Sequence, residues 1–205
     1  MKIRFVMALM LSSGLVFGAC VEEESLPRGF SDVQCTSCHG TESVSVAPPL
    51  AIDKESATTD PGVGAHQSHL QGGNLRGPIQ CSDCHQVPEF VDSEGHHGAL
   101  PAELSFGALA TANGNLAPEF DDTTYKCTNV YCHGAIIGGG SNKTPQWNVV
   151  DGSQRACGTC HGFPPPAPHL QLTYCTGCHP DTVNEDGSIN LTTGYHINGV
   201  IDAPF

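Results

Sequence analysis

Hydrophobic residues form long runs only at the front of this chain. Phe5–Leu11 and Leu15–Ala19 are nearly continuous apolar stretches behind a basic Met-Lys-Ile-Arg start. That is the n-region and h-region of an export leader, too short to span a bilayer as a mature helix. Beyond residue 31, no segment sustains the 3.6-residue period of a long helix or the alternation of a conventional strand. Residues 41–64, 136–146 and 163–168 are loops by composition, the last reading Phe-Pro-Pro-Pro-Ala-Pro. Short helical turns are expected around the Cys-x-x-Cys-His pentads at 35–39, 81–85, 157–161 and 175–179, and near Gly64–Leu70. A short strand is expected near Glu103–Leu109. With 24 Gly and 15 Pro in 205 residues, such a pattern ordinarily means disorder. If the chain folds, something besides its side chains must supply core.

The leader ends at Gly18-Ala19-Cys20, which resembles a bacterial lipobox, although Phe17 stands where such sites usually carry Leu. A peptidase that needs two spaced small residues would find Phe17 at one of them. The expected organisation is therefore a signal peptide over 1–19, a lipidated tether over 20–31 beginning at Cys20, and a folded domain over 32–205. The Val-Glu-Glu-Glu-Ser run after Cys20 is a solvated spacer that lifts the domain off a membrane surface. Eight basic and 21 acidic residues give a net charge of −13. Removing Lys2 and Arg4 with the leader leaves six against 21, or −15. Nucleic acid and anionic lipid are poor partners for that surface, whereas oxidised metals and basic proteins suit it. Solubility of an exported protein would produce the same acidity.

The chain holds eleven cysteines. Ten fall into five pairs: Cys35/Cys38, Cys81/Cys84, Cys127/Cys132, Cys157/Cys160 and Cys175/Cys178. The eleventh is Cys20. Paired cysteines in an exported chain fit a disulfide framework, and paired Cys-x-x-Cys also fits structural zinc. Neither needs a histidine after each second cysteine. Here His39, His85, His133, His161 and His179 all stand there, an arrangement with a chance probability of roughly one in a million. Covalent haem c does need it: two thiols bond the porphyrin and the adjacent imidazole reaches the iron as proximal ligand. Five covalent haems are expected, buried in the chain and supplying the apolar core that it wraps. The site at 127–133 has four residues between its cysteines, so its loop must bulge for both sulfurs to reach one ring.

The sixth iron position separates carrier from enzyme. All three methionines (Met1, Met7 and Met10) lie in the leader, which excludes Met/His ligation. Six histidines remain outside the motifs: His66, His69, His96, His97, His169 and His196. Five sites need five distal ligands, so histidine on both faces of every iron is available with one to spare. His66 and His69 lie one helical turn apart and can serve different haems. His96 and His97 are adjacent and point apart, and one of them is the spare.

With those residues in place, the chain from about Asp32 to Asp202 resembles the multihaem cytochromes carrying the CxxxxCH/CxxCH domain of metal-reducing Geobacter-type bacteria. The resemblance rests on Gly64-Ala65-His66-Gln67-Ser68-His69-Leu70, Cys81–His85, Gly95-His96, Tyr131-Cys132-His133-Gly134, Pro145-Gln146-Trp147-Asn148, Cys157–Gly162 and His196-Ile197-Asn198-Gly199. A four-spaced site followed by a two-spaced one is its specific mark. Family members often repeat that couplet, and one copy here makes a small member. The family pattern implies His96 as ligand and His97 as the spare.

The resemblance implies an irregular fold of low secondary structure, with short helices and loops wrapped around five haems. It further implies an electron carrier, not an enzyme, working in extracellular electron transfer or metal reduction. Its partners would be other cytochromes and extracellular metal acceptors, and its place the outer membrane or cell surface, with the periplasm as the alternative. Two other functions remain open. A multihaem reductase would need one haem with an open coordination position. A filament subunit would exchange distal histidines with its neighbours, although a lipid on Cys20 argues against an extended polymer.

Overall fold

In the computed structural model, which describes residues 35–41, 45 and 50–200, regular structure is sparse. The elements bounded within the described residues are a short helix, α1 (His66–Leu70), a two-stranded sheet, β1 (Glu119–Asp121) with β2 (Lys126–Thr128), and single 3-10 turns. The turns lie at Cys81–Asp83, Tyr131–His133, Ser153–Arg155 and Cys175–Gly177. Three of them overlap cysteine–histidine motifs, and α1 lies within the turn expected over Gly64–Leu70. The architecture is irregular, as the chain's poor periodicity requires. The expected signal peptide over 1–19, Cys20 and the expected tether over 20–31 lie outside the described residues.

The strand expected near Glu103–Leu109 is not formed. Two of its backbone donors are used elsewhere: Ser105 N–H donates to Cys84 O at 2.9 Å and Gly107 N–H to Asp83 O at 3.0 Å. This segment buttresses the 81–85 turn and has no strand partner. The sheet forms instead around 119–128, where Glu119, Phe120 and Asp121 pair with Thr128, Cys127 and Lys126 in antiparallel register. Its turn is set by Asp121, whose carboxylate accepts the Thr123 N–H at 2.8 Å, the Thr124 N–H at 3.1 Å and the Thr124 hydroxyl at 2.7 Å. Residues 145–147 extend β2, through Cys127 N–H to Pro145 O at 3.1 Å and Trp147 N–H to Tyr125 O at 2.7 Å.

A five-residue helix is too short to be stable alone, so contacts must hold α1. Trp147 provides them. Its indole N–H donates to Pro61 O at 2.8 Å, and the neighbouring Asn148 side chain donates to Thr59 O at 3.0 Å. The loop before α1 is thereby clamped to the hairpin. Gly64, at φ +41°, lies directly under the indole, where any Cβ would collide with the ring. Among the described residues the buried apolar side chains are few and small: Ala51, Val63, Ala110, Ala112 and Val130.

Candidate functional site

Each cysteine–histidine motif is built on a tight backbone turn, and the turns are of two kinds. At 35–39, 81–85 and 175–179 the second cysteine and the histidine both donate to the first cysteine's carbonyl. The distances are 3.2 and 2.9 Å to Cys35 O, 3.1 and 2.8 Å to Cys81 O, and 3.1 and 2.9 Å to Cys175 O. One self-contained turn thus presents two thiols and an imidazole together. At 127–133 the first cysteine is on β2 and the second on the 3-10 turn Tyr131–His133, with His133 N–H donating to Val130 O at 3.1 Å. The four-residue gap is taken up at Asn129, which has φ +54° and whose side chain donates to Ala117 O at 2.9 Å. At 157–161 the segment 138–142 clamps the motif from outside. Ser141 N–H donates to Gly158 O at 3.0 Å, Asn142 N–H to Thr159 O at 2.9 Å, and Gly162 N–H to Gly138 O at 2.8 Å.

Burial of the attachment cysteines is uneven. Cys38, Cys157 and Cys178 are exposed, whereas the other seven motif cysteines are half-buried. Cys38 and Cys178 are the second cysteines of the first and last motifs. The physical reason is visible beside Cys84, the equivalent cysteine at 81–85. There residues 103–107 lie over the turn, with Ser105 N–H on Cys84 O. The turns at 35–39 and 175–179 satisfy the Cys38 and Cys178 N–H groups internally, on Cys35 O and Cys175 O. Among the described residues no hydrogen-bonded segment lies over either cysteine in that way. A turn closed on itself holds its thiols in place but does not cover them.

Against each motif histidine stands one histidine from outside the motifs. Ring centroids are 6.0 Å apart for His39 and His96, 6.3 Å for His85 and His66, and 6.1 Å for His133 and His69. They are 6.5 Å apart for His161 and His196, and 6.1 Å for His179 and His169. All ten histidines are used once. His97 instead lies 4.8 Å from His96, exposed and facing no motif histidine in these pairs. Among the described residues no three His, Cys, Asp or Glu side chains converge as a metal cluster, so the histidines meet two by two. The ten motif cysteines are free thiols, not disulfides.

The spacing tests whether haem fits. An iron–imidazole bond of about 2.0 Å, with about 1.2 Å more from nitrogen to ring centre, would put two imidazoles on opposite sides of one iron about 6.4 Å apart. The five measured pairs, from 6.0 to 6.5 Å, bracket that value. The ring nitrogens agree with this. Nδ1 meets a backbone carbonyl in His66 (Val63 O, 2.9 Å), His69 (Ala65 O, 2.9 Å), His85 (Glu103 O, 3.1 Å) and His96 (Val91 O, 2.7 Å). The same holds for His161 (Gly162 O, 2.8 Å), His169 (Leu170 O, 2.7 Å) and His196 (Leu75 O, 2.7 Å). A carbonyl at Nδ1 keeps the proton there and leaves the Nε2 lone pair for a metal.

Burial favours the neutral form of four of the histidines. His133 is pushed down to about 4, chiefly by desolvation and then by its neighbour His69. His66 and His196 are lowered, first by burial, against the opposing pull of their carbonyl partners. His39 is lowered by burial and then by the charges of His96, His85 and His97. Three of the thiols move the other way. Burial raises Cys84 and Cys127 to about 11, and Cys132 to about 12 in spite of the Arg76 guanidinium. Cys84 responds to Cys127, and Cys132 to Cys84, so the motifs at 81–85 and 127–133 share one neighbourhood.

Trp147 joins the same two sites. Its indole meets the His66 ring edge-on at 4.7 Å and 90°, and lies over the His69 ring at 5.6 Å and 29°. Trp147 belongs to the Pro-Gln-Trp-Asn run of the sequence, but a contact across the fold has no local signature there. The hairpin is not among the elements the sequence reading predicts, although the Asp-Asp-Thr-Thr turn between its strands is a signal that marks it.

Residues 126–161 match the family model described as the Geobacter CxxxxCH...CXXCH motif. The match covers the four-spaced site and the two-spaced site that follows it, and supports a multihaem c-type cytochrome domain of this kind with covalently bound haem c. No curated protein and no solved structure matches the chain.

Proposed function

We propose that this chain carries five covalent haem c groups, each held between two histidines, and passes single electrons along them at the cell envelope. The observation that carries the proposal is the pairing of every motif histidine with one outside histidine at 6.0–6.5 Å. Haem iron supplies reversible one-electron chemistry with no proton transfer or bond rearrangement required of the protein. The protein's own work is therefore to hold and orient. Each cysteine pair fixes a ring by two thioether links. His39, His85, His133, His161 and His179 act as proximal ligands. His96, His66, His69, His196 and His169 close the opposite faces in the same order.

Closing both faces is what makes a carrier. A reductase needs one face open to substrate, and five outside histidines against five motif histidines leave none open. His66 and His196, whose Nδ1 atoms meet backbone carbonyls and whose burial favours the neutral ring, would bind iron without first losing a proton. The exposure of Cys38, Cys157 and Cys178 suits a carrier too, since electrons must enter and leave where a partner can approach. Envelope placement rests on the sequence: an apolar leader, a lipobox-like Gly-Ala-Cys at 18–20 and an acidic spacer. Cys20 would carry the lipid and hold the domain at the outer membrane or cell surface. The partners proposed are other cytochromes and oxidised extracellular metals, in keeping with a net charge of −15 after loss of the leader's two basic residues.

The intact mass of the mature protein tests the reading. Polypeptide from Cys20 plus five haems plus lipid is expected. Four haems would mean that the site at 127–133 is empty, and an unlipidated mass would remove the anchor. Carbon monoxide added to the reduced protein is expected to leave the spectrum unchanged. Stoichiometric binding to any iron would replace the carrier by a reductase.

A further inference from the structure

The five histidine pairs differ in one respect that their common spacing conceals. In three of them the imidazole planes are nearly parallel: 24° for His39 and His96, 22° for His85 and His66, and 16° for His179 and His169. In the other two they are crossed, at 74° for His133 and His69 and 72° for His161 and His196. The division follows the backbone. The parallel pairs belong to the three motifs whose cysteine and histidine N–H groups close on their own first cysteine. The crossed pairs belong to 127–133, with its four-residue gap, and to 157–161, clamped from outside by residues 138–142.

Ring planes are not set by chain spacing, because rotation about the histidine χ2 bond is broad. Packing must set them. For His161 and His196 the two carbonyl tethers, from Gly162 and Leu75, fix the rings. For the pairs that meet at α1, one more side chain is in place. His66 and His69 share a single helical turn, yet one ring is parallel to its partner and the other crossed. Trp147 meets the first edge-on and the second face-on, so the two imidazole planes are themselves strongly inclined to each other. The indole is held at its N–H by Pro61 and at its backbone by Tyr125, and so acts as a fixed wedge.

We propose that the sites form two electronic classes, three with parallel and two with crossed axial imidazoles, and that Trp147 is the positioning residue holding His69 crossed to His133 and His66 parallel to His85. This rests on the bis-histidine reading above. Parallel rings direct their filled π orbitals at the same iron d orbital, whereas crossed rings address different ones. The ferric low-spin signal is rhombic in the first case and strongly anisotropic in the second.

Electron paramagnetic resonance of the oxidised, fully haem-loaded protein reads this directly. Rhombic and strongly anisotropic signals are expected in the ratio three to two. Trp147→Leu is expected to convert one anisotropic signal to rhombic and leave the total low-spin iron unchanged. Trp147→Phe keeps an aromatic face and should retain the wild-type ratio. Five rhombic signals in the parent protein, or an unaltered spectrum in Trp147→Leu, would overturn the proposal. If Trp147→Leu disturbs all five sites, the Phe variant decides: a retained ratio upholds the positioning role, and a general disturbance reduces Trp147 to a fold contact. High-spin iron at several sites of the parent would instead overturn bis-histidine ligation itself, so the two failures are distinguishable.

Discussion

Gly134 lies directly on the backbone of Cys160, so closely that a Cβ at Gly134 would overlap the Cys160 carbonyl. The residue that follows one motif thus touches the second cysteine of the next. Gly134 also has φ +81°, a conformation that glycine adopts without cost and other residues resist. The four-spaced and two-spaced sites are therefore one packed unit, and a small change in either should be felt in both.

Gly134→Ala is the direct test. The left-handed conformation alone costs a side chain about 1–2 kcal/mol, and the overlap with Cys160 adds to it. Gly187 is the control, since it has φ +83° but nothing within 4 Å of the added Cβ. Gly187→Ala should lower the melting temperature by a few degrees and leave all five sites intact. Gly134→Ala should lower it further and disturb the signals of the His133 and His161 sites together. Equal losses in the two variants would show that the contact contributes nothing.

His96 and His97 are neighbours in sequence with different surroundings. His96 is half-buried, faces His39 at 6.0 Å and is tethered to Val91 O at 2.7 Å. His97 is exposed. His97→Ala is expected to leave the low-spin absorption spectrum intact, whereas His96→Ala should produce one high-spin haem in five. The reverse outcome would exchange their roles.

Arg76 ties the C-terminal segment to the loop after α1. Its Nε–H donates to Ile197 O at 2.8 Å, one residue beyond His196, whose Nδ1 meets Leu75 O at 2.7 Å. Loss of a charge-assisted bond of this kind costs about 2 kcal/mol. In Arg76→Met the strap should loosen, and high-spin iron should grow at the His161 site alone. Cyanide titration with resonance Raman detection would count it. An unchanged spin state would mean that packing of residues 195–200 suffices without the strap.

How far the sequence reveals this molecule depends on the range of each interaction. The five motifs are legible because a covalent attachment needs its residues at fixed local spacing. The lack of long elements is legible for a similar reason, since Gly, Pro and broken periodicity act locally. Which histidine meets which is not legible. His161 meets His196, and His69 meets His133, across segments with no periodic signal. Trp147 is hidden in the same way, as its partners lie near residues 61–69. The exposure of Cys38 and Cys178 is another case, because what covers a turn is decided by segments distant in the chain. The misplaced strand at Glu103–Leu109 makes the same point. Its apolar residues suit a strand, but Ser105 and Gly107 spend their N–H groups on the 81–85 turn.

Without its cofactor the chain has little core of its own. No large side chain among the described residues is fully buried, and the buried apolar set is three alanines and two valines. Leu100, Leu170, Leu172 and Tyr174 are each more than 60% exposed. Ordering the backbone costs about 1–2 kcal/mol per residue, and so small a core recovers little of it through burial. The 3-10 turns and five-residue helix add no cooperative structure of their own. Replacing all ten motif cysteines by Ser should therefore give a chain with a coil-like circular dichroism spectrum, fast amide exchange throughout and no melting transition. The haem-loaded protein should melt in one cooperative step. A cooperative transition in the ten-serine variant would show that the polypeptide alone carries the fold.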